Sequence, residues 1–209
     1  MKKFALKWNE LAERANLDSE KALAWGKTLR ARYGEPWRRY HDLRHVWSCL
    51  KEYENSESRF DEGDQIDLEL AIWLHDVVYD PRRSDNEVKS AEFAVEGLNA
   101  CGFPDEGIDA VARLILATRH TGAPSSNVEA LLVDIDLATL GKSEAEYDRY
   151  SGAIREEYAH VPDEIYRPER SKVLRHFLDR DSIYSTAEFF GRYEEAARRN
   201  LSRELEALA

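Results

Sequence analysis

The chain has too little cysteine, too little positive charge and no apolar run long enough to belong to several common classes of protein. Its two cysteines, Cys49 and Cys101, cannot build a disulfide framework or a zinc ribbon, and they read as two ordinary buried or half-buried thiols in a reducing compartment. No run approaches the length of a membrane span. The opening residues Met1-Lys2-Lys3-Phe4-Ala5-Leu6-Lys7-Trp8 begin like a signal peptide, but Lys7, Asn9 and Glu10 interrupt any apolar h-region. A cytoplasmic location is therefore expected. Lys and Arg number 30 against 41 Asp and Glu, a net charge of −11 with a pI near 5.1. Such a chain is ill suited to scanning duplex nucleic acid, which needs a basic face. An anionic substrate would need a local positive site, such as a metal. No low-complexity tract and no alternating strand pattern occurs.

What the chain does have is core material: 43% hydrophobic residues and 11% aromatics, five Trp among them, in 209 residues. These amounts fit one soluble domain spanning 1–209. The apolar periodicity is helical nearly throughout, so an all-α bundle is expected. A first helix runs from about Phe4 to Ala15, and a second is capped by Asp18 or Ser19 and reaches Tyr33 before Gly34-Glu35-Pro36. A third opens at His41 and runs through Tyr53. A fourth ends at His75-Asp76, followed by a loop through Val77–Asp85. Further helices are expected from Asn86 to Cys101, from a cap at Asp105 to His120, over Val128–Leu137, and over roughly 143–160, 162–180 and 186–208. The segment Val128-Glu129-Ala130-Leu131-Leu132-Val133-Asp134-Ile135-Asp136-Leu137 is apolar on all sides and reads as a central buried helix. Its two aspartates need an explanation.

The same question arises at Trp73-Leu74-His75-Asp76, where a His and an Asp close an apolar helical run. Burying an uncompensated carboxylate is costly, and a divalent cation removes that cost by taking imidazole nitrogen and carboxylate oxygen as ligands. Further ligands are available. His41 and His45 are four apart, one face of a helix, and Asp136 lies in the buried segment. Two His and two Asp in a bundle core make a mixed nitrogen and oxygen site for Mn, Fe, Co, Ni, Zn or Mg. At this spacing His41 and His45 can share one metal, as in a His-x-x-x-His site, or act as one proton donor and one ligand.

His45, then His75-Asp76, then Asp136 resemble the H…HD…D signature of the HD-domain superfamily of metal-dependent phosphohydrolases. The resemblance covers about Arg39 to Gly141, with the helices of 143–208 packed on that core. Tyr40-His41-Asp42-Leu43-Arg44-His45 is also similar to the Tyr-His-x-x-x-x-His opening of the cyclic-nucleotide phosphodiesterases of that superfamily, with one residue fewer between the histidines. In those enzymes the first His is a general acid and the second a metal ligand. Asp136-Leu137 likewise resembles their last ligand. Trp73–Pro81 and Asp134–Gly141 look like a bacterial group known as predicted HD phosphohydrolases. The resemblance implies an HD-type helical fold, with His45, His75, Asp76 and Asp136 on a divalent ion. It implies hydrolysis of a nucleotide or another small phosphate ester through a metal-activated water, with His41 as the catalytic acid. Asp136 is preferred to Asp134 partly on this resemblance, the other Asp then orienting a ligand.

Around this set, Arg39, Arg44 and Arg119 are candidates to clamp phosphate, and His120 to touch substrate or a second metal. Glu87 is a candidate to hold a water just past the metal loop. Each has a plainer reading, as solvated arginines, a His against a helix dipole, and an acid in a helix first turn. Two rival functions share the scaffold. A di-iron oxygenase needs more histidines between His75-Asp76 and Asp136 than His120 alone. A non-catalytic nucleotide-sensing module has no need to keep all four ligands.

Overall fold

Helices with apolar residues all round must lie at the centre, and two helices of this chain meet that condition. The computed structural model describes residues 2–209, and side chains from Phe4 onward; Met1 and the side chains of Lys2 and Lys3, which begin the stretch weighed as a signal peptide, lie outside the described residues. Among the described residues the secondary structure is entirely helical, as expected. In order the helices are α1 Lys2–Arg14, α2 Ser19–Tyr33, α3 Leu43–Glu54, α4 Glu62–Leu74 and α5 Asn86–Ala100. They continue with α6 Asp105–Ala117, α7 Asn127–Leu137, a 3-10 turn Ala138–Gly141, α8 Glu144–Glu157, α9 Asp163–Leu178 and α10 Ala187–Leu208. No helix of the described residues is long and apolar enough to cross a membrane.

Helix starts follow side-chain capping. Asp18, Asp61, Ser126 and Thr186 each accept a hydrogen bond from a backbone N–H of the first turn, satisfying a donor that the helix cannot. Asp42 does the same for α3, taking Arg44 N at 2.7 Å from an extended backbone. That cap corrects the expected start of the third helix: it begins at Leu43, so His41 lies before the helix and the face arithmetic linking it to His45 does not apply. Asp105 is the first helical residue rather than the cap, because Pro104 takes that position without a side-chain bond. The 3-10 turn after α7 was not foreseen.

Leu68 and Leu70 to Leu74 on α4, and Leu131 to Ile135 on α7, are all buried. Around α4 an aromatic cluster docks the N-terminal helices: the Trp73 ring meets Phe4, Trp8 and Trp47 at centroid distances of 5.1, 5.8 and 5.9 Å. Gly97 lets the Trp25 ring lie against α5, since a Cβ there would be 2.2 Å from Trp25 Cζ2.

Asp134, fully buried on α7, does not face the site. Its Oδ1 accepts from Ser185 N at 2.8 Å and its Oδ2 from Thr186 N and Oγ1 at 2.7 Å each. It therefore holds the start of α10 rather than orienting a ligand. Burial pushes its pKa up, and the three donors only partly offset that. Asp134→Asn turns an amide N–H toward one of these N–H groups, and a stability loss of about 1–3 kcal/mol is expected for the unsatisfied donors. Urea unfolding would measure it; an unchanged midpoint would refute the role.

Candidate metal centre

Three helices that start far apart in sequence bring their polar residues to one point. His45 sits in the first turn of α3, buried between Tyr40 and Cys49. His75 is the C-cap of α4, and its Nδ1 lies 3.0 Å from the Ile72 carbonyl. A carbonyl only accepts, so Nδ1 carries a proton and Nε2 faces the cluster, the arrangement that fixes the tautomer of many ligating histidines. Asp136 projects from α7, half a turn around from Asp134.

The distances are close. His45 Nε2 is 3.1 Å from His75 Nε2 and 3.0 Å from Asp136 Oδ1. His75 Nε2 is 3.5 Å from Asp136 Oδ1 and 3.2 Å from Asp76 Oδ2, which lies 3.5 Å from His45 Nε2. Atoms sharing one ion through bonds of about 2.0–2.2 Å stand roughly 3 to 3.5 Å apart. Two half-buried carboxylates beside two buried imidazoles also need positive charge. Without a metal, protons must supply it. Burial pulls the His75 pKa down, but Asp76 and Asp136 drive it well above the usual histidine value. Against the opposing effect of burial, histidines hold both carboxyls well below the carboxylate range, His75 first for Asp76 and His120 first for Asp136. The donor set thus fits a divalent cation.

Cys49 enters this group. His45, Cys49, His75 and Asp136 can together hold a metal ion, with their ligand atoms all within 4.8 Å of one another. The plain reading of Cys49 missed this, although the signal was present: Cys49 is four residues after His45 on α3, the helical pair that His41 and His45 are not. Its Sγ is 3.8 Å from His45 Nδ1 and 3.7 Å from Nε2. Burial, then Asp136 and Asp76, push its thiol pKa up.

His120 also reaches the cluster, its Nε2 2.8 Å from Asp136 Oδ2. It lies beyond the end of α6 in the left-handed region at φ 55°, a conformation costly for a residue with a Cβ. Arg180 donates to its carbonyl oxygen and to His176 Nε2. Its Nδ1 is buried without a partner.

His41 stands at the edge of this cluster, its ring 6.1 Å from that of His45 and stacked at 4.1 Å on Tyr79. Two residues that sequence reading missed hold it there. Glu157, buried at the end of α8, accepts His41 Nδ1 at 2.7 Å and Tyr79 Oη at 2.9 Å on one oxygen. Its other oxygen accepts the backbone N–H groups of Arg39, Tyr40 and His41 at 2.7, 2.8 and 3.0 Å. Burial would raise the Glu157 pKa, but these donors bring it down to about 2. Arg38, with its side chain fully buried, donates to the carbonyls of His41 and Asp76 at 2.7 Å each and of Val77 at 3.0 Å. It ties the loop carrying His41 to the end of α4. Burial lowers the His41 pKa, and Asp76, Glu157 and Asp136 more than offset this, so His41 keeps its proton above the ordinary histidine range.

A cavity of about 470 Å³ opens beside Asp136, with His41, Arg119, His120, Lys172 and His176 in its wall. Glu87 lines it as well. Arg39 and Arg44 stand apart from it. The Arg39 side chain turns to Pro36 O and Glu156, and Arg44, 78% exposed, binds the Asp42 cap and Arg39 O. The cavity thus sets Arg119, Lys172 and three histidines beside the half-buried Asp136 in a wall that Leu137, Leu140, Val173 and Phe177 complete. Compared with protein-family models, with curated proteins and with solved structures, the chain gave no match.

Proposed function

We propose that this chain is an HD-type metal-dependent phosphohydrolase acting on a nucleotide or another small phosphate ester. The observation that supports it is that His45 Nε2 and His75 Nε2 lie 3.0 to 3.5 Å from each other, from Asp76 Oδ2 and from Asp136 Oδ1, with a held histidine and a cavity carrying Arg119 and Lys172 alongside. Those four residues would hold the ion, and Asp76 is preferred to Cys49. An atom on the same ion as His45 Nε2 lies much farther from Nδ1, whereas Cys49 Sγ is about equally far from both nitrogens and so sits beside the ring. A bound divalent ion supplies a Lewis acid for phosphoryl oxygen and lowers the pKa of a water.

The protein's own residues do the rest. Arg119 and Lys172, in the cavity wall, draw an anionic phosphoryl group into an otherwise acidic molecule. With its Nδ1 proton accepted by Glu157, His41 has Nε2 free to give a proton to the leaving oxygen. His120 holds the second oxygen of Asp136 and so sets the direction of the first.

Purified protein loaded with Mn²⁺ or Zn²⁺ should hydrolyse simple phosphate esters. His41→Asn should keep its metal yet lose roughly 10²–10⁴ in rate on esters of poor leaving groups, the usual size of general-acid catalysis. The loss should shrink for nitrophenyl esters, whose leaving oxygen needs no proton. Metal held at full occupancy, with no ester turned over, would replace this reading with a non-catalytic binding module.

A further inference from the structure

His41 lines a second cavity, also about 470 Å³, on the side of α8 and α9. Its wall carries fewer charged and imidazole groups than that of the first. Ile154, Tyr158, Val161, Ile165 and Tyr166 supply aliphatic and ring surface there. Among the lining residues one guanidinium occurs, that of Arg170, and it is committed: Glu204 takes its Nε at 2.8 Å and its Nη2 at 3.0 Å. The lining carboxylate, Glu169, is exposed and paired with Lys172. The two cavities share His41, Tyr150 and Val173.

Resting on the hydrolase reading, we infer that this second cavity is the leaving-group slot, and that the enzyme prefers phosphate esters of a flat, uncharged, apolar alcohol of one to two rings. The reasoning follows from His41. A group that protonates the leaving oxygen must stand between the phosphoryl site and the rest of the leaving group. The first cavity, with Arg119, His120, Lys172 and His176 in its wall beside Asp136, takes the phosphoryl oxygens. The leaving alcohol then extends past His41, where tyrosine rings and aliphatic side chains form the wall. Aromatic walls favour planar ligands, and a cavity of this size is suited to a small organic molecule. A leaving group with its own phosphate finds no uncommitted guanidinium or ammonium among the lining residues. In the reaction the phosphorus–oxygen bond to the alcohol breaks, water supplies the new oxygen on phosphorus, and the alcohol departs with the proton from His41.

Phenyl phosphate and 2-naphthyl phosphate provide the test, because their leaving oxygens are similar in basicity and differ by one fused ring. The metal-loaded protein should show kcat/KM about tenfold higher for the naphthyl ester, the factor that burying roughly 50 Å² more apolar surface supplies. 2-Naphthylphosphonate should likewise bind about tenfold tighter than phenylphosphonate by calorimetry. Ile165→Asp, at an exposed wall position (56% exposed), and Ile154→Trp, which fills the slot, should each bring both ratios to about one. The Ile165 variant keeps the test open if the buried Ile154 variant does not fold. Equal kcat/KM for the two esters in the unaltered protein would overturn the slot while leaving the hydrolase standing. Absent turnover with the phosphonate preference intact, and lost in the variants, would leave an apolar ring-binding slot and overturn the hydrolase, and with it the leaving-group role. Absent turnover with no phosphonate preference would overturn both.

Discussion

Asp136→Ala should lose its bound divalent ion, fall to background in ester hydrolysis and stay helical. Its Oδ1 contacts both His45 and His75 and its Oδ2 contacts His120, so truncation removes a donor from the centre of the cluster. Removing residues that merely orient ligands typically weakens metal binding by 10- to 100-fold. Loss of a direct donor is expected to exceed about 100-fold. His75→Ala should behave alike, and Cys49→Ser should keep its metal if Asp76 is the fourth donor. Elemental analysis with far-UV circular dichroism checks all three; full occupancy in the Asp136 and His75 variants would refute the site. The chelated protein should also be sensitive to pH. His75 is raised, so its contribution is complete below the ordinary histidine pKa of about 6.5 and is lost as pH climbs through the raised value. Asp76 and Asp136 are depressed, so theirs persists well into acid. Melting temperature without metal should thus peak in mildly acidic solution and fall on the alkaline side, whereas metal loading should improve as His75 gives up its proton.

Glu157→Gln is expected to have the next largest effect, on both stability and activity. The carboxyl is held at about 2 against an ordinary 4.5, worth about 3 kcal/mol at about 1.4 kcal/mol per pKa unit. For a chain of this size that corresponds to roughly 6–12 °C in Tm. The depressed pKa means the stabilisation is present above about pH 4.5 and is lost as pH falls through about 2, so the gap between the two proteins should close in strong acid. An amide can keep the three backbone donors on its oxygen, but its N–H groups then face His41 Nδ1 and Tyr79 Oη. His41 would have to move its proton to Nε2 and lose its anionic neighbour. The pH–rate profile of the variant should lose its alkaline limb toward lower pH, a change that a purely structural role for Glu157 would not produce. A Tm change without any shift in that profile would leave Glu157 as a loop anchor only.

The central helices were readable because their composition leaves no alternative. Leu70 to Leu74 and Leu131 to Ile135 have no polar face, and an acid in such a helix demands a partner, which drew attention to Asp134 and Asp136. The phase at His41 was not readable, since a single cap, Asp42, decides whether α3 starts two residues earlier or later. In the basic run Trp37-Arg38-Arg39-Tyr40 composition does not reveal which guanidinium turns inward; the structure buries Arg38 and exposes Arg39. Glu157 lies 116 positions from His41, beside Glu156 in a stretch like any solvated helix end, and only the packing of α8 against the 38–41 loop distinguishes it.

His45, His75 and Asp136 come from three helices and span 91 positions of chain, so the donor cluster does not exist until α3, α4 and α7 have packed. An ion that binds this cluster binds the folded protein and hardly the unfolded one. Its free concentration then enters the folding equilibrium by mass action: at a hundred times the dissociation constant it adds about 2.7 kcal/mol. Cellular metal supply would thus regulate how long the protein survives, independently of whether any substrate is present.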